Sequence, residues 1–242
     1  MRIYIIRHGD PDYALDSLTE RGFKEAEILA DRMDKLSITD LYCSPLGRAV
    51  ATAEPTIKRT GLKSEILPWL REFTGKIEDP DNPGKMRIPW NLSPRFWLGQ
   101  SEFYHKDNWI HNPYVAAGDM VDKYNMVTKH FDELLSEYGL HRKDGLYHCS
   151  ENPDKNIAFF CHFGLGMILI SHLANISPFL MLQNFFLPTS SVTTIVSEER
   201  EKGEIFFKCK QLGDTSHLYA AGQDVSKAGL FQEFYKVKDG LH

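Results

Sequence analysis

The sequence predicts an α/β protein: a three-layer α/β/α sandwich around a mostly parallel sheet with one antiparallel edge strand. Three observations predict it. Short apolar runs rich in β-branched residues alternate with segments of helical periodicity, the charged turn Glu198–Gly203 joins the last two runs as a hairpin, and 42% of the 242 residues are hydrophobic. A chain of this size and composition buries one full core, so we predict a single domain over residues 1–242.

The first part of the chain alternates strands and helices. Ser17–Glu20 has the form of a capping box, Ser44 followed by Pro45 is typical of a helix start, and Pro55 predicts a kink in that second helix. The predicted elements are a strand at Ile3–Ile6, a helix at Thr19–Leu36, a strand at Asp40–Cys43, a helix from Ser44 to Gly61 and a strand at Lys63–Leu67.

About 90 residues separate this third strand from the next apolar run, Ile157–Cys161, far more than a usual connection between core elements. We predict that residues 73–138 are an insertion that forms a lid over the site, between the third and fourth core strands. Its first half is irregular and aromatic, with tryptophans and phenylalanines that we expect chiefly to pack, and its second half is a regular helix from Asp119 to Tyr138. A helix at Gly166–Ala174 and strands at Ser191–Val196 and Ile205–Cys209 follow.

Charge and composition limit the partners. The net charge of −5 and a pI of about 6.1 give no general basic field, so we expect neither nucleic acid nor a membrane as partner. No segment reaches the roughly 18 apolar residues of a membrane span, no signal peptide is recognisable, and the four cysteines lack metal-ligand or disulfide spacing. We therefore expect a cytoplasmic protein without a metal site; the sequence leaves the oligomeric state open.

Polar side chains follow four of the predicted strands at the point where each strand ends. They are His8, Arg48 beside Ser44, Glu72 and His162, and Arg7 precedes the first of them. Since ligands of open parallel sheets bind at the carboxyl ends of the strands, we expect these groups to converge. Two arginines, two histidines and one acid are the composition of an anion site with a nucleophile and a proton donor.

Several short motifs carry a resemblance to a known family. They are Arg7-His8-Gly9, Leu18-Thr19-Glu20-Arg21-Gly22, Ser44-Pro45-Leu46-Gly47-Arg48-Ala49, Leu70-Arg71-Glu72, Cys161-His162 and Asp214-Thr215-Ser216-His217-Leu218. In this order they resemble the motifs of the histidine phosphatase superfamily, the phosphoglycerate-mutase-like proteins. The resemblance implies a phosphoryl-transfer enzyme that needs no metal or other cofactor. It also implies that His8 is the nucleophile, that Arg7, Arg48 and His162 hold the phosphoryl group, and that Glu72 is the proton donor.

The expected function is a metal-independent phosphomonoester hydrolase that acts through a phosphohistidine on a phosphorylated small molecule. A phosphoglycerate-type mutase and a non-catalytic phospho-ligand binding module are the alternatives. Glu102 or Asp119 of the insertion is the alternative proton donor, and Ser44 is expected to cap a helix rather than to hold phosphate. Phe163 stands where many members of the family have a small residue, so the resemblance does not identify the substrate.

Overall fold

The computed structural model describes residues 1–231 and 233; residues 232 and 234–242 of the predicted domain lie outside the described part. Its strands are β1 (Arg2–Arg7), β2 (Asp40–Cys43), β3 (Ser64–Ile66), β4 (His141–Lys143), β5 (Leu146–His148), β6 (Asn156–Cys161), β7 (Val192–Glu201) and β8 (Glu204–Asp214). Its principal helices are α1 (Glu20–Met33), α2 (Gly47–Thr60), α3 (Met120–Glu137), α4 (Phe163–Ala174), α5 (Pro178–Asn184) and α6 (Ser216–Ala220).

One eight-stranded sheet organises the fold, in the order β3-β2-β6-β1-β7-β8-β5-β4. The first four strands are parallel, with β1 pairing to β6 in the register Arg7 to Cys161. From β7 onward the neighbouring strands are antiparallel. The predicted antiparallel edge is therefore four strands wide, because the β7–β8 hairpin is extended by the short β4–β5 hairpin, whose mostly polar residues gave no strand pattern.

Helices cover both faces of the sheet, as the prediction requires. Ile3 and Ile5 of β1 belong to the core on the face of α3 and α4, whereas Tyr4 and Ile6 belong to the core on the face of α1 and α2. This alternation is the period of two that a strand buried on both faces imposes on its side chains. The α/β/α architecture predicted from the sequence is confirmed.

Local signals at the ends of the helices were less accurate than the elements themselves. The cap of α1 is Thr19, which accepts from the Gly22 amide, and not Ser17. Leu46 lies at the N-cap of α2 without a side-chain hydrogen bond, so the expectation that Ser44 caps this helix is wrong. α2 also runs unbroken through Pro55 before Gly61 ends it in the left-handed conformation.

Residues 73–138 follow β3 and include the whole of α3. Ahead of α3 they form one small ladder and five short helical turns, in line with the irregular pattern of the sequence. These elements are Ile77–Glu78 with Met86–Arg87, and then Pro89–Asn91, Pro94–Trp97, Ser101–Tyr104, Asn108–His111 and Pro113–Ala116. A two-residue ladder, Pro11–Asp12 with Ser17–Leu18, and 3-10 turns at Asp34–Leu36 and Pro68–Leu70 complete the described elements. None of the described helices is long and apolar enough to span a bilayer.

Candidate active site

The carboxyl ends of three neighbouring parallel strands deliver the central residues of the site. His8 follows β1, His162 follows β6 and Ser44 follows β2. The main chain continues the strand pairing into these residues, since His8 donates its amide to Cys161 O at 3.0 Å and Ser44 donates its amide to Phe160 O at 2.9 Å. The sheet therefore fixes the three side chains relative to each other.

The ring of His8 is oriented by its neighbour. Its Nδ1 lies 2.8 Å from the carbonyl oxygen of Gly9, which requires Nδ1 to carry the proton and leaves the lone pair on Nε2. His8 is 2% exposed. Burial, followed by the charge of Arg7, lowers the pKa of His8 from its usual 6.5 to about 3, so the ring is neutral at pH 7.

His162 faces His8 with the opposite arrangement of its nitrogens. The two ring centroids are 5.2 Å apart, and His162 Nε2 lies 2.7 Å from Ser44 Oγ. That oxygen already accepts the Leu46 amide at 3.2 Å, so its own hydrogen is free to be donated to His162 Nε2. Burial and the charges around the ring hold the pKa of His162 well below its usual range. The neutral ring then carries its proton on Nδ1, which is buried and has no hydrogen-bond partner within the described residues.

Arg7 lies beside the two histidines and is 3% exposed. Its Nη1 donates to Leu187 O at 2.6 Å and its Nη2 to Ala228 O at 3.3 Å, while Nε is buried without a partner among the described residues. Burial lowers the pKa of Arg7, and the nearby Tyr13 and Glu72 raise it. Both terminal nitrogens of Arg7, the residue that the resemblance assigns to the phosphoryl group, are thus bound to main-chain carbonyls.

Arg48 is placed by the first turn of α2, where its charge lowers the pKa values of both His8 and His162. Its Nη1 forms a 2.7 Å ion pair with Asp16, which also accepts the Gly47 amide at 2.8 Å. Asp16 is a contact that the sequence analysis missed, because an aspartate in an exposed turn carries no signal of its target.

Glu72 reaches the same site from the segment after β3. Its Oε1 accepts the amide of Phe73 at 2.8 Å and that of Leu165, in the first turn of α4, at 3.1 Å. Burial raises the pKa of Glu72, whereas the two amides and the charges of Arg7 and Arg48 lower it; the net direction is upward. One carboxyl oxygen is therefore fixed and the group as a whole holds a proton more readily than an exposed glutamate.

The two alternative acids of the insertion are engaged elsewhere. Asp119 accepts the Lys76 amide at 2.8 Å, and Glu102 lies next to the Ser101 hydroxyl. Within the described residues, neither has a hydrogen bond to any group of the site. The geometry thus favours Glu72 over both.

A carboxy-terminal segment lies against the site, which the sequence did not indicate. Ser226 is buried and hydrogen-bonds Asp10, and Ala228 accepts from Arg7. These contacts involve a backbone carbonyl and a serine, which have no recognisable spacing in the sequence. Within residues 1–231 and 233, no group of three or more His, Cys, Asp or Glu side chains is arranged to hold a metal ion.

Part of the chain is similar in sequence to known proteins. Residues 3–102 match the histidine phosphatase superfamily, branch 1. The matched family is the one whose motifs the sequence resembles, and the match covers less than half of the chain. A probable phosphoglycerate mutase GpmB of Photorhabdus laumondii is 36% identical over 82 residues, and that of Cronobacter sakazakii is 32% identical over the same length. Each alignment covers 30% of this chain and 38% of the relative, so it spans well under half of these curated proteins.

Solved structures resemble the chain over most of its length. A mycobacterial glucosyl-3-phosphoglycerate phosphatase, solved with VO3, covers 88% of this chain over 99% of its own, with a TM-score of 0.59 and 20% identity. A putative alpha-ribazole-5'-P phosphatase of Escherichia coli covers 88% of this chain over 97% of its own, with a TM-score of 0.56 and 22% identity. At 20–22% identity these similarities establish the fold, an α/β fold with a mostly parallel central sheet flanked by helices.

Proposed function

We propose that the protein is a phosphomonoester hydrolase that forms a phosphohistidine at His8. One observation carries the proposal: the Nδ1–H of His8 is bound to Gly9 O at 2.8 Å, so a neutral, buried ring presents the Nε2 lone pair beside Arg7, Arg48 and His162. A nucleophile needs that lone pair at the pH of reaction, and the cationic surroundings keep it unprotonated.

In the first half-reaction, the Nε2 lone pair of His8 attacks phosphorus in line and the bond from phosphorus to the ester oxygen breaks. Glu72 gives its proton to that leaving oxygen, which departs as an alcohol. In the second half-reaction, water attacks the phosphohistidine, the Glu72 carboxylate takes a proton from it, and the P–N electron pair returns to His8. Phosphate is released and both residues recover their initial forms.

Arg7, Arg48 and His162 would stabilise the charge on the phosphoryl oxygens, which is where most of the catalysis of phosphoryl transfer lies. The two arginines would supply positive charge, and His162 an N–H donor, in the place that a metal ion takes in other phosphoryl-transfer enzymes. Arg7 Nη2 donates to Ala228 O, and Arg48 Nη1 forms an ion pair with Asp16. An entering phosphoryl group must therefore replace these two acceptors to bind both arginines through those nitrogens. His162 needs no such exchange, because its Nδ1 has no described partner to lose.

Ser44 is the positioning residue for His162 in this proposal. If Ser44 Oγ donates to Nε2, as the Leu46 amide on the same oxygen favours, His162 presents an N–H to the phosphoryl group. The other tautomer would point a lone pair at an anion and leave the Ser44 hydrogen buried without an acceptor.

The predicted lid at residues 73–138 belongs to the same proposal. Trp90 of this segment packs against the ring of Phe163, directly after His162, with centroids 5.8 Å apart. An aromatic side chain at this point would contact the substrate's alcohol while the ester is bound.

A phosphoglycerate-type mutase is the second candidate, favoured by the similarity to probable phosphoglycerate mutases. Incubation with 3-phosphoglycerate and its bisphosphate primer separates the two. We expect release of inorganic phosphate from phosphomonoesters and little exchange between isomers. Rapid isomer exchange without phosphate release would contradict the hydrolase.

A non-catalytic phospho-ligand binding module is tested with an aryl phosphate. We expect phosphate release by the wild-type protein and its loss in His8→Ala. Binding without any release by the wild-type protein would favour the module.

A further inference from the structure

Three aromatic rings stand in a row beside the proposed phosphoryl site, and we call Phe186, Phe163 and Trp90 the aromatic wall. The centroid of Phe163 is 5.6 Å from that of Phe186 and 5.8 Å from that of Trp90. All three side chains keep partial exposure, whereas aromatic residues of the main core such as Phe131 and Phe159 are fully buried. The aromatic wall is thus continuous and partly accessible to a ligand from solvent.

One end of the aromatic wall adjoins the phosphoryl side of the site. The guanidinium carbon of Arg7 lies 5.2 Å from the centroid of Phe186 and 5.9 Å from that of Phe163. Both distances are within the range of a cation–π contact. A phosphoryl group held at Arg7 and His8 therefore has aromatic surface next to it.

The other end adjoins the proposed proton donor. A Cβ on Gly164 would lie 2.7 Å from the indole of Trp90 and 2.9 Å from Oε1 of Glu72. Only glycine leaves room there for the indole and the carboxyl group to share one side of the α4 backbone. Since Glu72 protonates the leaving oxygen in the proposed reaction, Trp90 borders the path of the carbon skeleton attached to that oxygen.

We propose that the aromatic wall is the subsite for the leaving alcohol and that it selects phosphomonoesters of aromatic or apolar alcohols. The inference rests on the proposed function for its orientation, with phosphate at Arg7 and the alcohol toward Trp90. An apolar group against the wall gains by removing aromatic surface from water, and a flat ring gains further by stacking. A small polar alcohol would gain neither burial of aromatic surface nor stacking.

Binding of two phosphonates tests the wall without any chemistry. 2-Phenylethylphosphonate and ethylphosphonate carry the same charge and differ by one ring, and calorimetry gives the dissociation constant of each. We expect the phenyl compound to bind about tenfold or more tightly to the wild-type protein. Trp90→Leu and Phe163→Leu, each checked for folding by circular dichroism, reduce that ratio about fivefold or more, and Phe185→Leu, an exposed neighbour outside the wall, leaves it unchanged.

Equal binding of the two phosphonates to the wild-type protein would overturn the inference, as would a ratio that survives both wall substitutions. Hydrolysis of 2-phenylethyl phosphate and ethyl phosphate is measured in a separate experiment. Preferential binding of the phenyl compound without hydrolysis of either ester would support the aromatic wall as a binding surface and contradict the proposed function.

Discussion

At the scale of single residues, two neutral imidazoles expose opposite groups to the space between them. The Nδ1–H of His8 donates a hydrogen bond to Gly9 O, and Nε2 of His162 accepts one from the Ser44 hydroxyl. One ring thus offers a lone pair and the other an N–H, which are the groups that a nucleophile and an anion ligand require. Neither assignment needs a charged ring, in agreement with the lowered pKa values of both.

Without the Ser44 hydroxyl, the ring of His162 should no longer be held in a single tautomer. In Ser44→Ala we expect kcat/KM for an aryl phosphate to fall about tenfold or more, as loss of one charge-stabilising donor does. The ¹⁵N shifts of His162 should show protonation at Nδ1 in the wild-type protein and a mixture in the variant. Ser44→Thr, which keeps the hydroxyl, should retain most of the activity. Protonation of His162 at Nε2 in the wild-type protein would contradict this role.

Replacement of Glu72 should matter most when the leaving alcohol is a poor leaving group. Glu72→Gln keeps the acceptor for the Phe73 and Leu165 amides but has no proton to give, so alkyl phosphates should lose about 10²–10³ in kcat. Aryl phosphates, which leave without help, should lose far less. An equal loss on both classes would assign the proton to another acid.

At the scale of elements, the ends of the parallel strands were predictable because buried strands leave clear apolar runs. β2 is found at the predicted residues, and β1 and β6 within one residue. The convergence of His8, Glu72 and His162 followed from that topology alone. The partners of the arginines did not, because Leu187 and Ala228 act through carbonyl oxygens that any residue carries.

The loop after β1 depends on its close approach to α1. A Cβ on Gly22 would lie 2.2 Å from the carbonyl oxygen of Asp10, two residues after His8. In Gly22→Ala we expect the free energy of unfolding to fall by about 1–3 kcal/mol, measured by urea titration, with a loss of activity as the loop shifts. Gly99→Ala is the control, since its Cβ would meet ordinary contacts of 3.4 Å or more. Wild-type stability and activity in Gly22→Ala would show that this approach is not required.

At the scale of the whole molecule, buried neutral histidines couple folding to pH. His217 is 8% exposed, and its Nδ1 lies 3.3 Å from Arg32 Nη1. Burial, followed by the charge of Arg32, lowers the pKa of His217 from 6.5 to about 4. Its folded pKa lies below its unfolded pKa, so as pH falls from 6.5 toward 4 the unfolded chain binds a proton that the folded chain does not, and stability is lost.

The pH dependence of His217→Gln isolates this residue from the other titrating groups. Between pH 7 and pH 5 the free energy of unfolding of the wild-type protein should fall by about 2 kcal/mol more than that of the variant. Urea titrations at both pH values measure the difference. Parallel losses in the two proteins would show that His217 titrates normally in the folded state.

The central claim for the molecule is a covalent phosphate on His8. The wild-type protein, mixed with ³²P-labelled aryl phosphate and denatured in alkali during turnover, should retain acid-labile label on the peptide that contains His8. His8→Ala, treated in the same way, should retain none. Acid-labile label that persists on His8→Ala would contradict the assignment of the nucleophile.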